Sequence, residues 1–138
     1  MRHGQPVFVD SGAWIALALA RDPLHMQARA QWDRLQAAAA KLHTSIPVVI
    51  ETFTFLDRNA NRDVALAWRE SIHQHGVVRM LPCELGDLER SWDYFRRAEL
   101  RKLSAVDATS FAIMKRAGIR IAYTFDYHFA VAGFRLVT

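Results

Sequence analysis

The sequence predicts an α/β protein: a three-layer α/β/α sandwich around a short central parallel sheet. Three observations carry this. Short apolar runs such as Val7-Phe8-Val9 lack the alternation of a half-exposed strand and suit strands buried on both faces. Between them lie longer stretches with apolar residues at helical spacing, which can serve as crossovers. The two kinds alternate as βααβααβααβαβ, the order of parallel strands joined through helices. The 138 residues, 51% of them apolar, are enough for one core, so a single domain over 1–138 is expected.

The elements follow in order. Val7 to Val9 forms a strand that stops at Asp10, and Ser11-Gly12 turns into a helix over Ala13 to Ala20. Asp22 at the N-cap and Pro23 at the first helical position open a second helix. Its stripe of Leu24, Ala28, Trp32, Leu35, Ala39 and Leu42 carries it to about Lys41. A strand near His43 to Ile46 and a helix from Val48 to about Arg58 come next. Asn61 caps a helix striped by Val64, Trp68, Ile72 and His75 and ended by Gly76. Val77 to Leu81 is a strand closed by Pro82. Leu85, Leu88, Trp92, Phe95 and Glu99 to Leu103 trace a long amphipathic helix, and Ser104 starts another that ends at Gly118. The chain finishes with a strand (Ile121 to Thr124), a short helix (Asp126 to Ala132) and a last strand (Phe134 to Val137). The four tryptophans fall mainly on helical apolar stripes, which assigns them to the core.

Composition removes several classes of function. A single cysteine, Cys83, rules out an internal disulfide and a cysteine-based zinc site and reads as a small packed residue. No apolar run reaches the ~18 residues of a membrane helix. Arg2, an apolar stretch and Ala18-Leu19-Ala20 imitate a signal peptide, but Asp10 interrupts the stretch, so a cytoplasmic protein is expected. Histidines 3, 25, 43, 73, 75 and 128 are scattered without ligand spacing, and no glycine-rich phosphate loop or G-x-S-x-G is present.

The acids are the informative residues. Asp10 ends a strand, which in open α/β sheets is where ligands bind, although a helix cap explains it equally well. Glu51 is the only charge in IPVVIETFTFL, and a carboxylate against apolar surface requires a cation, a donor or a solvent-filled cleft. Ser104-Ala105-Val106-Asp107 is a capping-box pattern, so Asp107 alone reads as helix initiation. Asp126 follows a strand and fits either a cap or a ligand, with the Thr124 hydroxyl beside it. Asp10 and Asp126 share one crevice if their strands are neighbours. Four acids gathered there would repel one another unless divalent cations joined them, and hard oxygen donors suit Mg²⁺ or Mn²⁺. Such a site performs metal-assisted phosphodiester hydrolysis.

Charge agrees with this. The chain has 18 basic and 14 acidic residues, so setting these four acids aside leaves a positive surround for a phosphate backbone. Arg96, Arg97, Arg101 and Lys102 form the densest basic cluster, and Arg58 and Arg62 lie near the Glu51 helix. Each is a candidate contact to a phosphate backbone as well as an ordinary solvated residue.

Taken together, VFVDSGAWIALA, PVVIETFTFL, LSAVDATSFAIMKRAGI and IAYTFDYHFAVAGFRLV resemble the PIN-domain family, and within it the VapC-like ribonuclease toxins of toxin–antitoxin systems. The Asp22-x-x-His25 spacing also resembles that family, and the likeness covers essentially the whole chain. It implies a PIN-like domain that cleaves single-stranded or looped RNA with a divalent metal, Mg²⁺ or alternatively Mn²⁺. It implies Asp10, Glu51, Asp107 and Asp126 as the metal-binding, catalytic acids and Ser11 and Thr124 as supporting hydroxyls. A homodimer and an antitoxin partner are implied as well. The sequence departs from the family pattern at Gly12, where relatives often carry a hydroxyl or amide. Asp22 and His25 read as structural, capping and packing the second helix.

Two alternatives keep the fold: a catalytically silent RNA- or protein-binding module, and a metal-dependent nuclease acting on structured DNA. A phosphoryl-accepting Asp10 would need a second acid at or near Ser11-Gly12, which is absent.

Overall fold

A computed structural model describes residues 1–138, except for the side chain of His75, which lies outside the described residues together with the role given it above on the fourth helical stripe. Five parallel strands form one sheet: β1 (Pro6–Val9), β2 (Lys41–Ser45), β3 (Val78–Leu81), β4 (Ile121–Tyr123) and β5 (Arg135–Leu136). Their spatial order is β3-β2-β1-β4-β5. The helices are α1 (Ser11–Ala18), α2 (His25–Ala37), α3 (Ile46–Asn59), α4 (Arg62–His73), α5 (Leu85–Tyr94), α6 (Ala105–Ala117) and the single turn α7 (His128–Val131). A 3₁₀ turn over Gln74–Gly76 follows α4. The observed order of strands and helices is the one expected from the sequence.

The topology decides where a site can form. The chain winds outward from β1 through β2 to β3, then returns across the sheet to place β4 on the other side of β1. Right-handed crossovers therefore put α1 to α4 on one face and α5 to α7 on the other. The reversal falls between β1 and β4, and their carboxyl ends open the crevice in which such sheets bind ligands. The register is Val7 with Ile121, Phe8 with Ala122 and Val9 with Tyr123, so the next residues, Asp10 and Thr124, leave the sheet side by side.

The core explains why the strands are short apolar runs. Val7, Phe8 and Val9 are fully buried, as are Phe111, Ala122, Tyr123 and Phe129. Trp14 packs against Trp32 and Trp68 with ring centroids 6.0 Å apart in each case. Trp92 is the exception among the tryptophans: it is half-exposed beside Phe95 rather than part of the core.

Several boundaries differ from expectation, and three of them have a clear physical reason. Asp22-Pro23 does not start α2; the Asp22 side chain instead accepts the Leu24 amide in a turn, and the helix begins at His25. That helix stops at Ala37 rather than Lys41, because Lys41, Leu42 and His43 pair with β1. The long helix expected through Leu103 ends at Tyr94. Residues 95–97 donate to carbonyls three back, Leu100 turns inward to be buried, and Lys102 takes a left-handed φ of 58°. A straight helix would leave Leu100 without a core and α6 without a return path.

Candidate metal centre

Each acid is positioned by a local feature of the fold. Asp10 occupies the N-cap position of α1, yet its side chain makes no capping hydrogen bond. It is 3% exposed; Oδ2 accepts the Thr124 hydroxyl at 2.8 Å, while Oδ1 is buried with no hydrogen-bond partner. The structure thus removes the simple cap explanation for this residue. Burial raises its pKa to about 6, with the negative charges of Glu51 and Asp126 adding to the rise and the Thr124 hydrogen bond opposing it.

Glu51 lies in the second turn of α3, whose first turn is organised by the Ser45 hydroxyl accepting the Val48 amide. The donor that its apolar surroundings demanded is Ser11, whose hydroxyl binds Glu51 Oε1 at 2.6 Å. Ser11 thereby ties the start of α1 to α3, 40 residues along the chain. Beneath this pair, the Thr44 hydroxyl donates to the Val9 carbonyl at 2.9 Å and receives the Trp14 indole N–H at 3.2 Å. The end of β1 is held rigidly as a result.

Asp107 sits in the first turn of α6. Ser104 accepts the Asp107 amide at 3.0 Å, which is half of a capping box, and leaves the Asp107 carboxylate available to face the other acids. Burial raises its pKa to about 8, reinforced by the charge of Asp10 and by a hydrogen bond and charge from Asp126. At neutral pH without a cation, this group keeps a proton that an isolated aspartate would have lost.

Asp126 follows β4. Its amide donates to the Thr124 hydroxyl at 3.0 Å, and its Oδ1 accepts the His128 amide at 2.9 Å. It caps the turn, and its carboxylate lies beside that of Asp107. Asp107, Asp126 and His128 can each present a ligand atom within 4.8 Å of the others. His128 was not among the candidate ligands and was grouped with the other scattered histidines. The signal for it is local: an aspartate and a histidine two residues apart, where a turn folds both side chains the same way.

This donor set fits a divalent cation. An orphaned, buried carboxylate oxygen and two carboxyls held above their ordinary pKa are stabilised together once a dication replaces the missing partners.

The basic candidates are less uniform. Arg62 pairs with Asp57 at 2.9 Å, Arg96 with Asp93 at 2.7 Å and Arg97 with Glu99 at 2.7 Å. Arg97 also donates to the Val131 carbonyl at 3.2 Å. Arg58, Arg101 and Lys102 are exposed and form no ion pair among the described residues. A cavity of about 1070 Å³ lined by Met1, Arg2, Lys115, Arg120 and Arg135 lies at the amino ends of the strands, away from the acids. Asp22 and His25 are structural: the His25 ring donates from Nδ1 to the Ala16 carbonyl at 2.7 Å and locks α2 onto α1.

Comparison with known proteins shows the family and the fold. The sequence is 38% identical over 128 residues to the 23S rRNA-specific endonuclease VapC20 of Mycobacterium tuberculosis, covering 93% of this chain and 95% of that one. The crystal structure of that protein, described as a Sarcin-Ricin loop cleaving toxin, superposes with a TM-score of 0.80 over the same shares of the two chains. FitAcB from Neisseria gonorrhoeae, 16% identical and with 96% of each chain covered, shares the fold at a TM-score of 0.68. DNA-bound VapBC from Salmonella typhimurium, 15% identical with the same coverage, shares it at 0.64. None of the helices is long and apolar enough to cross a membrane. Residues 7–135 match the PIN domain, and the chain belongs to that family.

Proposed function

We propose that this protein is a divalent-metal-dependent endoribonuclease of the VapC toxin class, with Asp10, Glu51, Asp107 and Asp126 as its metal-binding and catalytic acids. The single observation that carries the reading is Asp10: a buried carboxylate at the topological switch point that caps nothing and has one oxygen unpartnered. Mg²⁺ or Mn²⁺ bound there would supply an activated water and would stabilise charge on the scissile phosphate.

The chain's own residues do the rest. Thr124 fixes the Asp10 carboxylate and the Asp126 backbone together, so the two acids keep a constant separation. Ser11 holds Glu51 toward the same crevice. Held this way, the acids need little rearrangement when a cation and a phosphate arrive. Arg58, Arg101 and Lys102 are the first candidates to meet the RNA backbone. Arg62, Arg96 and Arg97 can join them by exchanging weak surface ion pairs for phosphates.

The relatives narrow the substrate and the partner. A 38% identical protein named for cleavage of 23S rRNA makes a structured loop of ribosomal RNA the substrate to try first. Identity to a protein described as a toxin supports a cognate antitoxin that restrains the enzyme, and a homodimeric toxin acting in the cytoplasm belongs to the same reading.

The test is cleavage of ribosomes and of isolated RNA, with Mg²⁺ or Mn²⁺ and with chelator. The wild type should cut only with metal, and Asp10→Asn and Asp126→Asn should each lose at least about 100-fold. Full activity in either variant would sink the assignment. Absence of divalent-cation binding in a calorimetric titration would favour the silent module instead.

A further inference from the structure

His128 is the polar side chain nearest the acids that the proposed mechanism leaves without a task. Its Nε2 lies 2.6 Å from the Arg101 carbonyl, which only accepts, so Nε2 carries the hydrogen. The other nitrogen, Nδ1, is buried, has no hydrogen bond of acceptable geometry and stands 2.8 Å from Asp126 Oδ1. It also belongs to the group in which Asp107 and Asp126 offer oxygens within 4.8 Å. A ring with hydrogen on both nitrogens would pair with Asp126 through Nδ1, and a dication held by Asp107 and Asp126 would take the place of that hydrogen.

A second observation points to the same missing group. Asp10, 3% exposed, faces these carboxylates with an unpartnered Oδ1. Two buried atoms on separate elements, an oxygen after β1 and a nitrogen at the start of α7, thus border one acid cluster. The His128 ring is oriented as metal-bound imidazoles usually are, with its remote N–H given to a backbone carbonyl that fixes tautomer and ring plane.

We propose that His128 Nδ1 is a direct metal ligand, alongside the carboxylates of Asp107 and Asp126, and that this nitrogen makes the centre selective for Mn²⁺ over Mg²⁺. The proposal rests on the metal-site reading given above. Mg²⁺ is hard, prefers all-oxygen octahedra and retains its waters, whereas Mn²⁺ and later first-row ions accept imidazole readily. The Arg101 carbonyl that orients the ring lies in the 95–104 loop, so the ligand is also a strut between that loop and the metal centre.

The experiment uses the full chain loaded with Mn²⁺ and electron spin-echo envelope modulation, with Mn²⁺ and Mg²⁺ affinities measured by calorimetry. A ¹⁴N coupling of imidazole type should appear in the wild type and in the exposed control His3→Gln, and vanish in His128→Gln. Growth with ¹⁵N-histidine should replace the ¹⁴N pattern in the wild type, a readout that survives if His128→Gln fails to fold. His128→Gln should weaken Mn²⁺ by about 10-fold and Mg²⁺ by much less. Mn²⁺ bound without nitrogen coupling, or unchanged selectivity in His128→Gln, would overturn the ligand role. If Asp10→Asn still abolished binding in that case, the metal centre itself would stand. Failure of the wild type to bind either ion would remove both readings.

Discussion

At the residue scale, the acids carry a stability cost that a cation relieves. A carboxyl whose folded pKa exceeds its unfolded value holds its proton more tightly when folded. Its contribution is present below the unfolded pKa, near 3.8, and is lost as pH rises through the folded value. For Asp10 that window runs up to about 6 and for Asp107 up to about 8. Metal-free protein should therefore lose thermal stability between about pH 4 and pH 8, and Mn²⁺ should raise the melting temperature more at pH 8 than at pH 5.5. Asp107→Asn removes one of the repelling charges while keeping the shape. It should melt about 5 °C higher than the wild type at pH 8 without metal, yet bind metal poorly. Gly12 differs in kind. It lies in the first turn of α1 with no atom within 4 Å of where a Cβ would stand. Gly12→Ala should stabilise by about 0.5 kcal/mol, measured by urea unfolding. The space also means that the missing hydroxyl or amide at this position reflects the sequence rather than crowding.

At the element scale, the two helices before β4 are clasped by one buried acid. Asp87, in the first turn of α5, is fully buried. It accepts Arg116 of α6 at 3.0 and 3.1 Å, Arg90 at 3.0 Å and the Glu84 amide at 2.9 Å. Burial alone would raise its pKa, but these hydrogen bonds, led by Arg116, outweigh it and hold it below the ordinary carboxylate range. The clasp fixes α6, and α6 presents Asp107. Asp87→Ala leaves the Arg116 guanidinium without its buried partner and should cost about 3 kcal/mol in chemical denaturation. The 95–104 loop shows the same dependence on context. Its helical pattern fails because Leu100 must be buried and α6 must start, and the loop then ties to α7 through Arg97 with Val131 and His128 with Arg101.

At the scale of the whole molecule, four acids lie at the carboxyl ends of the strands, and the rest of the chain carries 18 basic against 10 acidic residues. Such a layout draws in a polyanion and lets the acids be met only through a cation. RNA affinity, measured with cleavage-inactive Asp10→Asn, should fall steeply with salt, and Arg101→Ala with Lys102→Ala should flatten that dependence by roughly two counterions. An unchanged slope would move the RNA path away from the 95–104 loop.

The sequence by itself determined the order of elements and the strand class and singled out four acids as candidates, because apolar periodicity and isolated charges are local properties of the chain. It left Asp10, Asp107 and Asp126 divided between cap and ligand, since a carboxylate before a helix serves either end. Tertiary structure decided among these. Asp10 caps nothing, Ser104 caps the helix that carries Asp107, and Asp126 caps its turn beside the Asp107 carboxylate. The adjacency of β1 and β4 is likewise long-range: more than a hundred residues separate two strands whose ends must meet. His128 and Ser11 acquire their partners only when α7 approaches the 95–104 loop and α1 approaches α3. Burial, which leaves Asp10 Oδ1 without a partner and lifts the pKa of Asp107, exists only once the chain has folded around them.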